Sequence, residues 1–219
     1  MLDHVTIRVS DRTAARPFYM SVLGEPTYLG DDFDEWGDFS LTESDAAHPV
    51  TRNLHIAFAL ESVEETLAFA NWRRGVNAFP LDPDGNSIKT APGVASAPPI
   101  HHLWLGVADL AASRRFWEAV APVLEFDVRE ELNRGFMVAG RDGRHITLIG
   151  DGRPPTEHLH FAFPVASDEA VAEFHRTAVA AGYRDDGAPG ERPQYHAGYV
   201  GAFVLDPDGN SVEAVNHNR

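Results

Sequence analysis

Asp206-Pro-Asp-Gly-Asn-Ser211 repeats Asp82-Pro-Asp-Gly-Asn-Ser87 residue for residue, and each copy follows Ala-Phe and a short apolar run. Pro and Gly suit a tight reversal between strands, so the repeat marks a duplicated hairpin. Val212-Glu213 follows the second copy and Ile88-Lys89 the first. Upstream, Leu54-His55-Ile-Ala-Phe58 is matched by Leu159-His160-Phe-Ala-Phe163. Further upstream, Asp3-His4-Val-Thr-Ile-Arg-Val-Ser-Asp11 is matched by His101-His102-Leu-Trp-Leu-Gly-Val-Ala-Asp109. Each half therefore offers two histidines on strands, and only the second half adds a carboxylate.

The chain has 219 residues, 43% of them hydrophobic, which suits two compact domains of about 100 residues each. No apolar run approaches the ~20 residues of a membrane span. The opening Met1-Leu-Asp-His4 enters a strand directly, and cysteine is absent. We expect a cytoplasmic protein with neither a disulfide framework nor a thiolate metal site. A formal net charge of −15 repels nucleic-acid phosphate, so no nucleic-acid partner is expected. The expected partner is a small-molecule substrate.

Alternation of apolar and polar residues predicts a strand at 4–9, a helix at 14–23 after Asp11, and strands at 28–36 and 38–42. A second strand at 55–60 and a helix at 63–72 follow. The other half repeats this order: a strand at 102–107, a helix from 109 or 110 to about 123, and strands at 126–129, 136–139 and 145–149. Then come a strand at 160–164, a helix at 169–181, and strands at 198–205 and 211–215. The unit is β-α-β-β-β, used four times. We expect a degenerate domain over 1–90, a linker over 91–99 and an intact domain over 100–219. His55 to Lys89 spans 34 positions against 53 from His160 to Glu213, a deficit of 19 that corresponds to residues 183–201. The N-terminal half is thus expected to lack a loop and most of a strand.

Strand side chains alternate between faces. His102 shares a face with Trp104 and Gly106, His160 with Ala162 and Pro164, and Glu213 with Ser211 and Val215. Two imidazoles and one carboxylate on separate strands fit a facial triad that leaves positions open on a divalent ion such as Fe, Mn, Ni, Co or Zn.

The combination of His102-Leu-Trp-Leu-Gly-Val-Ala-Asp109, Ser113-Arg-Arg-Phe-Trp117, Leu159-His-Phe-Ala-Phe163, residues 187–196 and Ala202-to-Glu213 resembles the vicinal oxygen chelate superfamily. That superfamily includes glyoxalase I, extradiol dioxygenases and the fosfomycin- and bleomycin-resistance proteins. The resemblance covers nearly the whole chain. It implies an α+β fold in which paired βαβββ units form open, cupped mixed sheets around a metal. Carried over residue by residue, it implies the metal ligands His102, His160 and Glu213. His4 and His55 stand at matching places, but Lys89 replaces the glutamate, and an ammonium cannot ligate. The N-terminal half then reads as a truncated structural copy. The superfamily often pairs units between chains, so the four units imply a monomer or a homodimer.

The stretch absent from the first half carries Arg192, Tyr195, His196 and Tyr199, with His196, Tyr195 and Tyr199 the candidate catalytic residues. His196, Asp206-Pro207, Gly209 and Glu213 resemble the extradiol dioxygenase spacing, but Phe203 stands where a tyrosine is expected. Glyoxalase I uses a fourth ligand, a glutamate, where this chain has His145 or Thr147. The reading is a metal-dependent lyase, isomerase or dioxygenase acting on a small oxygen-chelating substrate. The alternative is a non-catalytic protein that binds a bleomycin-type antibiotic.

Overall fold

The computed structural model describes residues 2–60, 79–92, 99–131 and 135–219. The helix expected at 63–72 lies outside them, as does most of the 91–99 linker. Chain order gives β1 (Val5–Val9), α1 (Arg12–Leu23), β2 (Tyr28–Leu29), β3 (Phe33–Trp36), β4 (Phe39–Glu43), β5 (Leu54–Leu60) and β6 (Ser87–Pro92). The rest is β7 (Ile100–Gly106), α2 (Leu110–Leu124), β8 (Asp127–Glu131), β9 (Gly135–Ala139), β10 (His145–Ile149), β11 (His160–Pro164), α3 (Asp168–Ala180), β12 (Asp185–Glu191), β13 (Val200–Leu205) and β14 (Ser211–Asn216). Asp11, Asp109 and Ser167 cap the three helices of the described residues through side-chain oxygens, satisfying amides the first turn leaves free.

Two differences from the sequence reading are local. The expected strand at 28–36 is split by a turn, closed by the Gly30 amide donating to the Phe33 carbonyl at 3.0 Å. The polar, glycine-rich Asp185–Glu191 forms the edge strand β12, joined to β13 through irregular register. Its stability comes from backbone pairing, which side-chain pattern does not reveal.

The strands make two open mixed sheets. One runs β12-β13-β14-β11-β1-β4-β3-β2 and the other β6-β5-β7-β10-β9-β8. The first unit therefore pairs with the fourth through antiparallel β1 and β11, and the second with the third through β5 and β7. Both pairings are made within one chain. Neither sheet belongs to one half of the sequence: units from both halves contribute strands to each. Among the described residues the second unit supplies only β5 and β6, where the fourth supplies four strands.

Consecutive units nevertheless share their apolar packing. Tyr19 of α1 is fully buried against Phe39 of one sheet and Phe58 of the other. Trp117 of α2 stacks on Phe161 and meets Phe163 edge-on. Burying each such ring stabilises by about 1.5–3 kcal/mol. The helices thus hold neighbouring units together while the strand edges pair across the chain.

The repeated hexapeptides lock the strands in both sheets. Asp206 Oδ1 accepts from the amides of Asp208 and Asn210. Asn210 accepts from Leu159 N and donates to Thr156 O. Asp82 and Asn86 make the same set with Asp84, Leu54 and Thr51. Gly85 and Gly209 hold φ of 91° and 86°, a region glycine enters without steric cost. The turn therefore pins Leu54, which opens β5, and Leu159, which immediately precedes β11, each one residue before His55 and His160. An ion pair joins the sheets: Arg144 donates to Asp38 Oδ2 at 2.8 Å and to the Leu2 carbonyl at 3.0 Å.

Candidate metal centre

His160 opens β11, His4 immediately precedes β1, and Glu213 is the third residue of β14. Antiparallel β1 sets Thr6 opposite His160, while parallel β14 sets Glu213 beside Ala162. Ala162 shares a face with His160 and Thr6 with His4, so the three polar side chains project from the same concave face. His4 Nε2 lies 3.2 Å from His160 Nε2. Glu213 Oε2 lies 3.2 Å from His160 Nε2 and 3.7 Å from His4 Nε2. Their ligand atoms all fall within 4.8 Å of one another.

Glu213 is 1% exposed. Tyr199 OH donates to its Oε1 at 2.8 Å. Opposite that oxygen lies Gly201, where a Cβ would come within 2.4 Å of Oε1. Burial and the adjacent carboxylate push the Tyr199 phenol far above the ordinary tyrosine value, keeping it a neutral donor. His160 is held below the ordinary imidazole value, because burial outweighs the attraction of Glu213. Burial also opposes charge on His4, but hydrogen bonding to Asp3 and the field of Glu213 raise it overall.

His102 is not part of this group. It pairs with His145 on β10 in the six-stranded sheet, beside His55, Trp104 and Lys89. His102 is the counterpart of His4: Trp104 lies opposite His55 as Thr6 lies opposite His160. Lys89 takes the place of Glu213, beside Ala57 as Glu213 is beside Ala162. In sheet topology the expected trio is thus divided, with His160 and Glu213 brought together and His102 separated from them. The physical reason is the pairing of β1 with β11, between the first and fourth units of the same chain.

The six-stranded sheet's concave face is different in character. The Lys89 ammonium lies over the rings of Phe79 and Trp104 at 5.6 and 5.7 Å. Burial first, then Lys89, lowers His55 to about 4. Burial first, then the neighbouring His145, His101, Lys89 and His55, lowers His102 to about 3. His145, the expected fourth-ligand candidate, stacks on His102 with ring centroids 5.1 Å apart, far from Glu213 in the topology. In the eight-stranded sheet the position corresponding to Glu213 on β4 is Ser40, beside Thr6, and its Oγ meets Thr6 Oγ1 at 2.8 Å.

Of the candidate catalytic residues, Tyr199 touches Glu213. His196 Nε2 meets His217 Nδ1 at 2.9 Å. Tyr195 is 59% exposed and packs its ring on Tyr199 at 4.9 Å. Arg192 lies over the Phe203 ring, which stands 5.9 Å from His160. Asp3, Gly201 and His217 complete the surroundings of the three ligands and lie outside the candidate residues of the sequence. One signal was visible: His4 follows an aspartate, whereas His102 follows another histidine, and ligand histidines commonly donate to a carboxylate.

A family model described as Glyoxalase/Bleomycin resistance protein/Dioxygenase superfamily matches residues 99–214. The chain belongs to this superfamily. Its matched stretch runs from β7 to β14 and so contributes strands to both sheets. Among solved structures, glyoxalase I from Zea mays superposes with a TM-score of 0.68 at 17% identity, covering 99% of this chain and 92% of that one. A candidate dioxygenase from Bacillus subtilis subsp. subtilis str. 168 gives 0.64 at 13% identity, covering 100% and 85%. At these identities the likeness is one of fold. No curated protein matches the sequence. Within this superfamily fold, no helix of the described residues is long and apolar enough to cross a membrane.

Proposed function

We propose that the eight-stranded sheet's cup binds one divalent metal (Fe, Mn, Ni, Co or Zn) through His4, His160 and Glu213. We further propose that the protein is a metal-dependent enzyme of lyase, isomerase or dioxygenase type acting on a small oxygen-chelating molecule. The observation that carries this reading is the convergence of three ligand atoms, from β11, β14 and the residue before β1, on one part-buried, concave face. Two imidazoles and a carboxylate suit a borderline divalent ion and leave coordination positions open.

The bound ion would supply Lewis-acid chemistry toward the substrate's oxygens. The chain's own residues prepare the site for it. Burial keeps His160 neutral, so its nitrogen lone pair is available. Tyr199 OH occupies Glu213 Oε1 and leaves Oε2 facing the two histidines. Ser40, where a second carboxylate would stand by the symmetry of the strands, adds a hydroxyl without charge. Phe203 and the rim residue Tyr195 offer aromatic surface for a small ligand, with Tyr199, Tyr195 and His196 the proposed catalytic group. Three converging ligands weigh against an antibiotic-sequestering role, because binding by shape and charge does not require them.

Metal per chain, measured by mass spectrometry on purified protein, tests the ligand set. Wild type and His102→Ala are expected to hold about one ion, and His4→Ala and Glu213→Ala close to none. A His102→Ala variant that loses its metal while His4→Ala keeps it overturns the proposal.

A further inference from the structure

Behind the candidate ligands lie two chains of contacts that end on the same short segment. Asp3 Oδ1 accepts from His4 Nδ1 at 2.8 Å, which turns His4 Nε2 toward the centre. Asp3 Oδ2 accepts from His217 Nε2 at 2.8 Å. His217 Nδ1 lies 2.9 Å from His196 Nε2, and His196 Nδ1 donates to the Ala197 carbonyl at 2.8 Å. Both Asp3 oxygens are therefore engaged, so the carboxylate is held at His4's outer nitrogen. On the other side, the Tyr199 phenol donates to Glu213 Oε1.

The two chains meet. The His196 and His217 rings stack at 5.2 Å, and the Tyr199 ring packs edge-on against both, at 5.3 and 5.2 Å. The segment closes on itself through Tyr199 N donating to His196 O at 3.2 Å and Arg192 N donating to Tyr199 O at 2.7 Å. It lies within the stretch by which the second unit is shorter than the fourth. In the other sheet, His102 Nδ1 faces His101 Nδ1 at 2.8 Å instead of a carboxylate, and among the described residues Lys89 has no counterpart to Tyr199's bond.

We propose that Asp3, His217 and Tyr199 are positioning residues for His4 and Glu213, anchored together on the segment from His196 to Tyr199. This rests on the metal reading above. Asp3 and His217 fix the tautomer and ring plane of His4, and Tyr199 fixes which carboxylate oxygen of Glu213 faces the ion. Groups of this kind change metal affinity about 10–100-fold, through orientation and not through direct ligation.

Co(II) is the probe, since its visible absorption reports ligand geometry while calorimetry gives its dissociation constant. The comparison is wild type, Asp3→Ala, Asp3→Asn, His217→Ala and Tyr199→Phe, each shown folded by circular dichroism without metal. Asp3→Ala and Tyr199→Phe are expected to bind Co(II) about 10–100-fold more weakly, with altered spectra. Asp3→Asn is expected to recover part of the loss, because its amide oxygen still accepts from His4. Affinities within threefold of wild type and unchanged spectra overturn the inference, as does a fall in thermal stability with no change in binding. A folded wild type that takes up no Co(II) overturns the metal reading itself, and this inference with it.

Discussion

Gly201→Ala tests the centre without removing a ligand. The added Cβ would stand 2.4 Å from Glu213 Oε1 and 3.3 Å from Tyr199 Cε1. Carbon and oxygen in contact need roughly 3.3 Å, so the carboxylate must retreat by about 1 Å. It has little room to do so, because Glu213 is 1% and Tyr199 5% exposed. Backbone strain does not enter, since Gly201 lies outside the left-handed region. Overpacking of a filled site costs about 1–3 kcal/mol. Metal coordination tolerates displacements of only about 0.5 Å, so relieving the clash by moving the carboxylate sacrifices binding instead. At about 1.4 kcal/mol per tenfold, Co(II) affinity should fall between about 5- and 150-fold. Calorimetric titration with Co(II), alongside urea denaturation of the metal-free protein, separates the two effects. A variant that binds Co(II) within twofold of wild type refutes the geometry argued for Glu213.

Lys89→Glu places a carboxylate beside His55 and His102, but without the Asp3 and Tyr199 contacts of the other cup. Metal analysis should still find about one ion per chain, and two equivalents of similar affinity would contradict the positioning argument. His55 and His102 have folded values of about 4 and about 3, below the ordinary 6.5, because burial and nearby cations disfavour the imidazolium. The unfolded chain therefore binds more protons, and the stability these groups confer is full above pH 6.5 and lost as pH falls through 4 and then 3. Nitrogen NMR at pH 5 should show both rings neutral; titration near 6.5 would disprove their burial beside Lys89. Asn210→Ala strands the Leu159 amide and the Thr156 carbonyl in the interior, costing about 1–3 kcal/mol in denaturant unfolding. A loss below about 0.5 kcal/mol would show that the hexapeptide turn does not lock β11.

The sequence alone determined the repeat, the unit, the helix start after Asp11 and the faces on which His102 and His160 lie. These depend on short-range chemistry: alternation along a strand, Pro and Gly in a turn, an aspartate before a helix. It also marked Lys89 as the residue that excludes a ligand and Glu213 as the one that supplies it. What only the tertiary structure decided was which histidine joins Glu213. His4 and His102 sit in near-identical strand contexts, and consecutive units do share an aromatic core through Tyr19 and Trp117. Backbone edges carry no side-chain label, so nothing local distinguishes β11 pairing with β1 from β11 pairing with β7. The choice falls to how four similar units close two sheets around their helices. That closure carries Asp3 and His217, from opposite ends of the chain, to within 2.8 Å of one another.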